Sequence, residues 1–151
     1  MCVEILDAQY KAIDIAKYIV DFCTRNEIAI SDLKLQKILY YIQLAFISNL
    51  NKFAFKDELE AWKYGPVVKN VYDIYSSFGS TKICLIYDDI IEFKPIEKNV
   101  INSVLLKCLP MDVWELVEMT HVPDGPWEQT YCEGEKNIIR KDIIKEYALS
   151  V

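Results

Sequence analysis

The sequence predicts a mainly α, compact single-domain helical bundle built round one central hydrophobic helix, with a small β-hairpin added. Three observations predict it. Apolar residues recur at helical spacing through most of the chain, one such segment is apolar on nearly every side, and Gly or Pro marks the boundaries between segments.

From Ala8 to about Asn26, Ala12, Ile15, Ala16, Ile19, Phe22 and Cys23 form one stripe, opposite Asp14, Lys17, Asp21 and Arg25. Ser31 then stands as an N-cap, with Asp32 favourable to the helix dipole behind it. The helix expected over 32–48 carries Leu35, Ile38, Leu39, Ile42 and Phe46 on one side and Tyr40, Tyr41, Leu44 and Ala45 elsewhere. A helix that is apolar on most sides belongs in the middle. The stretch Asn49-Leu50-Asn51-Lys52 breaks the pattern, and Phe53 to Trp62 reads as a mixed segment, extended or a short helical turn.

Pro66 precedes a spacing of Val67, Val71, Tyr75 and Phe78, which predicts that it occupies the first turn of a helix. Gly79 is the expected stop. The β-branched run from Ile83 to Phe93, interrupted by Asp88-Asp89, predicts the hairpin. Pro95 opens a helix with Ile101, Val104, Leu105 and Cys108 inward, ending before Pro110. A fifth spans about Asp112 to His121 with Val113, Leu116 and Val117 inward. A helical turn at 127–131 follows the Pro123-Asp124-Gly125-Pro126 turn, and a last helix at 140–149 presents Ile143, Ile144 and Tyr147.

At 151 residues one core suffices, and with neither an internal repeat nor a Pro/Gly-rich linker, residues 1–151 are expected to form one domain. Seventeen basic against twenty-three acidic residues give a formal charge of −6, a field that repels phosphate backbones and disfavours nucleic-acid binding. Five cysteines, at 2, 23, 84, 108 and 132, include no Cys-x-x-Cys pair and suggest a reducing cytoplasm; Cys23, Cys84 and Cys108 have the apolar neighbours of buried thiols. The N-terminus carries two acids and no basic run, unlike a signal peptide. No stretch approaches the roughly eighteen apolar residues of a membrane span. The protein is expected to be cytoplasmic.

The single histidine rules out a site of several imidazoles, so no metal is expected. Phosphate-cradling glycine motifs are missing as well, and no cofactor is expected. His121 shares the apolar face of its helix and reads as structural rather than as a general base; a Cys132–His121 pairing is not asked for by the spacing. Asp88-Asp89 and the Glu58/Glu60 pair read as solvated charges. Trp62, Trp114 and Trp127 each neighbour a rigid turn or helix end, where they either pack in the core or line a partner groove. No catalytic set emerges, which favours a binding protein over an enzyme.

Four blocks in order carry a family resemblance: Ile15-Ala16-Lys17-Tyr18-Ile19; Leu33 to Gln43 (LKLQKILYYIQ); Glu60 to Val68 (EAWKYGPVV) with Val71-Tyr72; and Trp114-Glu115-Leu116 leading through Thr120-His121 to Gly125-Pro126-Trp127. Over roughly residues 10 to 147 the chain resembles the Panacea domain of SocA-like antitoxins and phage-associated proteins. It departs from the family at Asn49-Leu50-Asn51-Lys52, where a glycine-containing turn is usual. The resemblance implies a mainly helical antitoxin whose partner is a cognate protein toxin encoded by an adjacent gene. It implies neutralisation by direct contact or, in the SocA type, delivery of the toxin to a Clp protease. The candidate partner-binding residues are Trp62, Tyr64, Gly65, Pro66, His121, Gly125, Pro126 and Trp127. The alternative is a nucleic-acid-binding regulator of phage or toxin–antitoxin genes, against which the charge balance speaks.

Overall fold

A computed structural model describes residues 4–151. Among them are seven α-helices: α1 (Ala12–Arg25), α2 (Asp32–Leu50), α3 (Lys69–Tyr75), α4 (Pro95–Cys108), α5 (Val113–Thr120), α6 (Pro126–Thr130) and α7 (Lys141–Ser150). A 3₁₀ turn at Ser76–Phe78 extends α3 and ends at Gly79, whose φ of 59° suits the stop expected there. The architecture is mainly α, as the periodicity predicts, and α2 is its axis: α1, α3, α4, α5 and α7 all pack on it. Leu35, Ile38, Leu39, Ile42, Phe46 and Ile47 on α2 are wholly buried.

Helix ends follow local chemistry. Ser31 Oγ accepts from Lys34 N at 3.2 Å, as its sequence position predicts. At the far end of α2, Asn51 adopts the left-handed φ of 54° that commonly falls to glycine, so the turn lacking glycine is built on an asparagine instead. α1 starts at Ala12 rather than Ala8 because residues 5–10 run beside 52–56, with bridges Leu6 to Lys52 and Tyr10 to Phe55. Asp57 caps it from outside the helix, accepting from Ala12 N at 2.7 Å and from Asn70 Nδ2 at 2.8 Å.

The sheet lies elsewhere than expected. β1 (Leu59–Trp62) and β2 (Gly65–Val67) form an antiparallel hairpin turning at Lys63-Tyr64, and β3 (Asn137–Ile139) pairs with the other edge of β1, giving the order β2-β1-β3. Pro66 therefore sits in a strand and α3 begins three residues later. An edge strand tolerates the missing N–H of proline as well as a first helical turn does.

Between Ile83 and Phe93 there is no hairpin. The alternation seen in sequence is real, with Ile83 buried, Leu85 and Tyr87 half-buried and Cys84 and Ile86 exposed, but the surface it follows is the side of α1. Leu85 N donates to Thr24 Oγ1 at 3.1 Å and Tyr87 N to Asp21 Oδ1 at 2.9 Å, so helix side chains replace the strand partner. That role buries Asp21, expected on the solvated face, and the same alternation leaves Cys84 exposed while Cys23 and Cys108 are buried. Cys2 lies outside the described residues.

One ionic cluster is locked inside. The Glu97 carboxylate in α4, with no exposed surface, meets both the Tyr10 hydroxyl and the Lys52 ammonium. Burial alone would raise its pKa, but Lys52, Tyr10 and Lys94 hold it below the ordinary glutamate range. Removing the cation by Lys52→Met should cost about 3 kcal/mol or more of unfolding free energy in urea titrations at pH 7. Because Glu97 binds its proton less readily folded than unfolded, its stabilising contribution is present above the unfolded glutamate pKa and lost as pH falls through the lower folded value. The penalty of Lys52→Met should shrink over the same acidic window.

Candidate functional site

The site begins with polar residues on the buried helix. Gln36 and Lys37 of α2 are 1% and 0% exposed, so each must find a partner inside the protein. Gln36 Oε1 accepts from Val68 N at 2.8 Å, and Lys37 Nζ donates to the Pro66 carbonyl at 2.7 Å. Together they clamp the outgoing strand of the hairpin to the bundle axis. Burial pushes the Lys37 amine down to about 7, only partly offset by the Asp32 carboxylate.

Gly65 is where this clamp meets α5. Its φ of 113° is disfavoured for any side chain, and a Cβ there would lie 2.7 Å from Thr120 Oγ1 and 2.8 Å from Lys37 Cε. Thr120 in turn donates to Val117 O at 2.6 Å. Gly125 is needed for a similar reason: a Cβ would lie 2.6 Å from Val122 Cγ2, and Pro126 then supplies the first residue of α6.

Three rings stack beyond that turn. His121 lies 3.7 Å from Trp127 with 5° between planes, and Trp127 lies 4.6 Å from Tyr131 at 16°. The Trp127 indole N–H donates to the Trp62 carbonyl at 2.6 Å, tying α6 to the hairpin. Trp62 packs edge-on against Tyr72 at 4.8 Å, and Tyr64 edge-on against Trp114 at 5.3 Å.

The structure thus brings all eight candidate residues to one junction of hairpin, α5 and α6, but they differ in what they present. Gly65, Pro66, Gly125 and Pro126 are buried and shape the backbone. Trp62, His121 and Trp127 are half-buried, and Tyr64 is 45% exposed. Trp114, at 52%, stands beside Tyr64 and widens the aromatic surface. Sequence reasoning passed over Gln36, Lys37 and Thr120. The available signal was a lysine and a glutamine set into a helix that has no polar face.

His121 Nε2 is buried without a hydrogen-bond partner among the described residues, and burial, then the Lys37 charge, lower its pKa, with Glu118 opposing. Cys132 is exposed, and the nearby Glu135 carboxylate pushes its thiol's pKa up, which disfavours the thiolate a nucleophile needs. No group of three or more His, Cys, Asp or Glu among the described residues is arranged to hold a metal. No helix among them is long and apolar enough to cross a membrane.

Two outcomes follow for this junction. Gly65→Ala should lower unfolding free energy by about 2 kcal/mol or more, from backbone strain plus overpacking against Thr120 and Lys37, measured by urea denaturation. Lys37 binds its proton up to about pH 10 when unfolded but releases it near 7 when folded, so the unfolded state holds more protons between those values. Stability therefore rises with pH there, by up to about 1.4 kcal/mol per pH unit. Measured from pH 7 to about 8 in both chains, whose cysteines are the same, Lys37→Met should flatten that slope.

The described residues place within one compact site the pieces that a family model recognises. The model described as antitoxin SocA-like, Panacea domain, matches residues 35–128, more than half of the chain. The chain is also 31% identical over 125 residues to the antitoxin SocA of Caulobacter vibrioides, a match covering 76% of this chain and 66% of that protein. No solved structure matches. The matched region runs from the buried face of α2 through the hairpin to Trp127 and α6, and on that ground the chain belongs to the SocA-like antitoxin family defined by the Panacea domain.

Proposed function

We propose that this protein is an antitoxin that neutralises a cognate protein toxin by direct contact and without a reaction of its own. The observation that carries the reading is the aromatic surface at the hairpin turn. Tyr64, on the turn clamped to the bundle axis, and Trp114, on α5, are about half exposed, yet each is held edge-on by the other. Large rings already held in place lose little entropy on binding and dominate interface energetics. Family membership supports the antitoxin role.

The toxin is expected to be encoded beside this chain and to be met in the cytoplasm. Masking is the simplest mode, since occlusion needs binding alone. Delivery to a Clp protease, the other route implied by the resemblance, adds turnover of the captured toxin. The two differ in one observable: toxin levels fall on antitoxin expression only under delivery, and recover in a strain lacking the protease.

Co-expression with the product of the neighbouring reading frame should restore growth that this product alone arrests. Tyr64→Ala and Trp114→Ala should each weaken complex formation about tenfold or more in calorimetry while leaving the melting temperature nearly unchanged. Growth arrest untouched by the wild-type chain would refute the reading.

A further inference from the structure

Beside the hairpin turn, a cavity of about 360 Å³ opens between α2 and α3, with Trp62, Tyr64 and Tyr72 among its walls. Its lining is mostly apolar but includes Asp32 and Gln36. Asp32 is only 5% exposed. Its side chain has one hydrogen bond among the described residues, from Gln36 Nε2 at 3.2 Å, and no cation within ion-pair distance. An ionised carboxylate offers about four acceptor positions, so most of this one's capacity is unused. The nearest buried cation, Lys37, has its ammonium committed to the Pro66 carbonyl. Burial consequently raises the Asp32 pKa, with the Gln36 hydrogen bond and the Lys37 charge only partly offsetting it.

We propose that this cavity is a socket for an arginine side chain of the partner protein, with Asp32 as its anionic end and Trp62, Tyr64 and Tyr72 as its walls. The proposal rests on the antitoxin reading for the identity of the partner, though not for the chemistry of the socket. An apolar side chain would fill the space and leave the carboxylate further desolvated and still unpaired. An acidic one would be repelled. A guanidinium satisfies both features, because it stacks on aromatic faces and meets a carboxylate with two parallel N–H donors.

The surroundings favour the same charge. The chain's own cations already lie against these rings: Lys136 Nζ is 4.2 Å from the centre of Trp62 and Lys63 Nζ is 5.4 Å from that of Tyr64. Lys63, on the cavity rim, and Lys136, over Trp62, are exposed and solvated, and these are the bases beside the path of an incoming guanidinium. Next to the socket, through the Tyr64–Trp114 contact, begins a segment of concentrated negative charge. Residues 112–135 hold seven acids, from Asp112 to Glu135, and no lysine or arginine, so they alone account for the net negative charge of the chain. All seven are exposed and none is in an ion pair among the described residues. Such a field draws a basic partner toward the rim, while the buried carboxylate selects the side chain that enters.

The test uses the full chain, isotope-labelled so that the indole N–H of Trp62 is followed by NMR, titrated with acetyl-Gly-Arg-Gly-amide. The norleucine and glutamate counterparts are titrated in parallel. The arginine peptide should shift the Trp62 signal saturably, with binding at least about tenfold tighter than for either counterpart. Asp32→Asn, whose amide oxygen still accepts from Gln36, should remove that preference. Tyr72→Leu, which leaves Asp32 intact, should weaken arginine binding in the same titration and serves if the first variant unfolds. No saturable shift, or equal shifts with the norleucine peptide, would overturn the socket. In a second arm, Asp32→Asn should weaken capture of the neighbouring gene's product about tenfold. A product not captured even by the wild-type chain defeats the antitoxin reading, and the peptide titration alone then decides the socket.

Discussion

Backbone groups pressed against an apolar helix lose their water and must be given other partners, and in this protein the helix itself supplies them. Lys34 donates to the carbonyls of Leu109 and Met111 at 2.6 and 2.7 Å, closing the end of α4. Gln36 and Lys37 hold Val68 and Pro66, and Gln43 takes both Ala54 N, at 2.6 Å, and Phe55 O, at 3.2 Å. Four polar side chains on one buried rod thereby fix the lateral position of three separate stretches of chain. Hydrophobic burial drives those stretches against α2 but does not choose their register. The hydrogen bonds do.

The aromatic surface at the hairpin turn inherits its rigidity from this arrangement. The hairpin is held from below by Lys37, from the side by Thr120 against Gly65, and from α6 by the indole of Trp127 on the Trp62 carbonyl. A side chain on this turn therefore rests on the same hydrogen bonds as the core, although it faces water. Core and surface are here one mechanical unit, which explains why residues that read as recognition motifs in the sequence, such as Gly65-Pro66 and Gly125-Pro126, are buried scaffold in the structure.

The helices were legible because burial imposes a period on them: the stripes of α1, α4 and α5, the Ser31 cap and the central place of α2 all follow from residue spacing. Sheet structure was not, for two different reasons. At Gly65-Pro66 the proline satisfies an edge strand and a first helical turn equally well, so local chemistry left two answers. Over Ile83 to Phe93 the two-residue period truly records one face in and one face out, yet period says nothing about whether the covering surface is a strand or a helix. Of the site, the aromatic residues were visible and their convergence was not. Lys37 was missed because a lysine is ordinarily a surface residue, and only its carbonyl partner, twenty-nine positions away, makes its burial tolerable.

The three tryptophans of the chain, Trp62, Trp114 and Trp127, all gather at this junction. The intrinsic ultraviolet emission of the protein consequently originates from one region of its surface. Trp127, sandwiched between an imidazole and a phenol, and Trp114, half in water, have environments different enough to give distinct quenching and wavelength. The molecule carries its own optical reporter at the junction of the hairpin, α5 and α6.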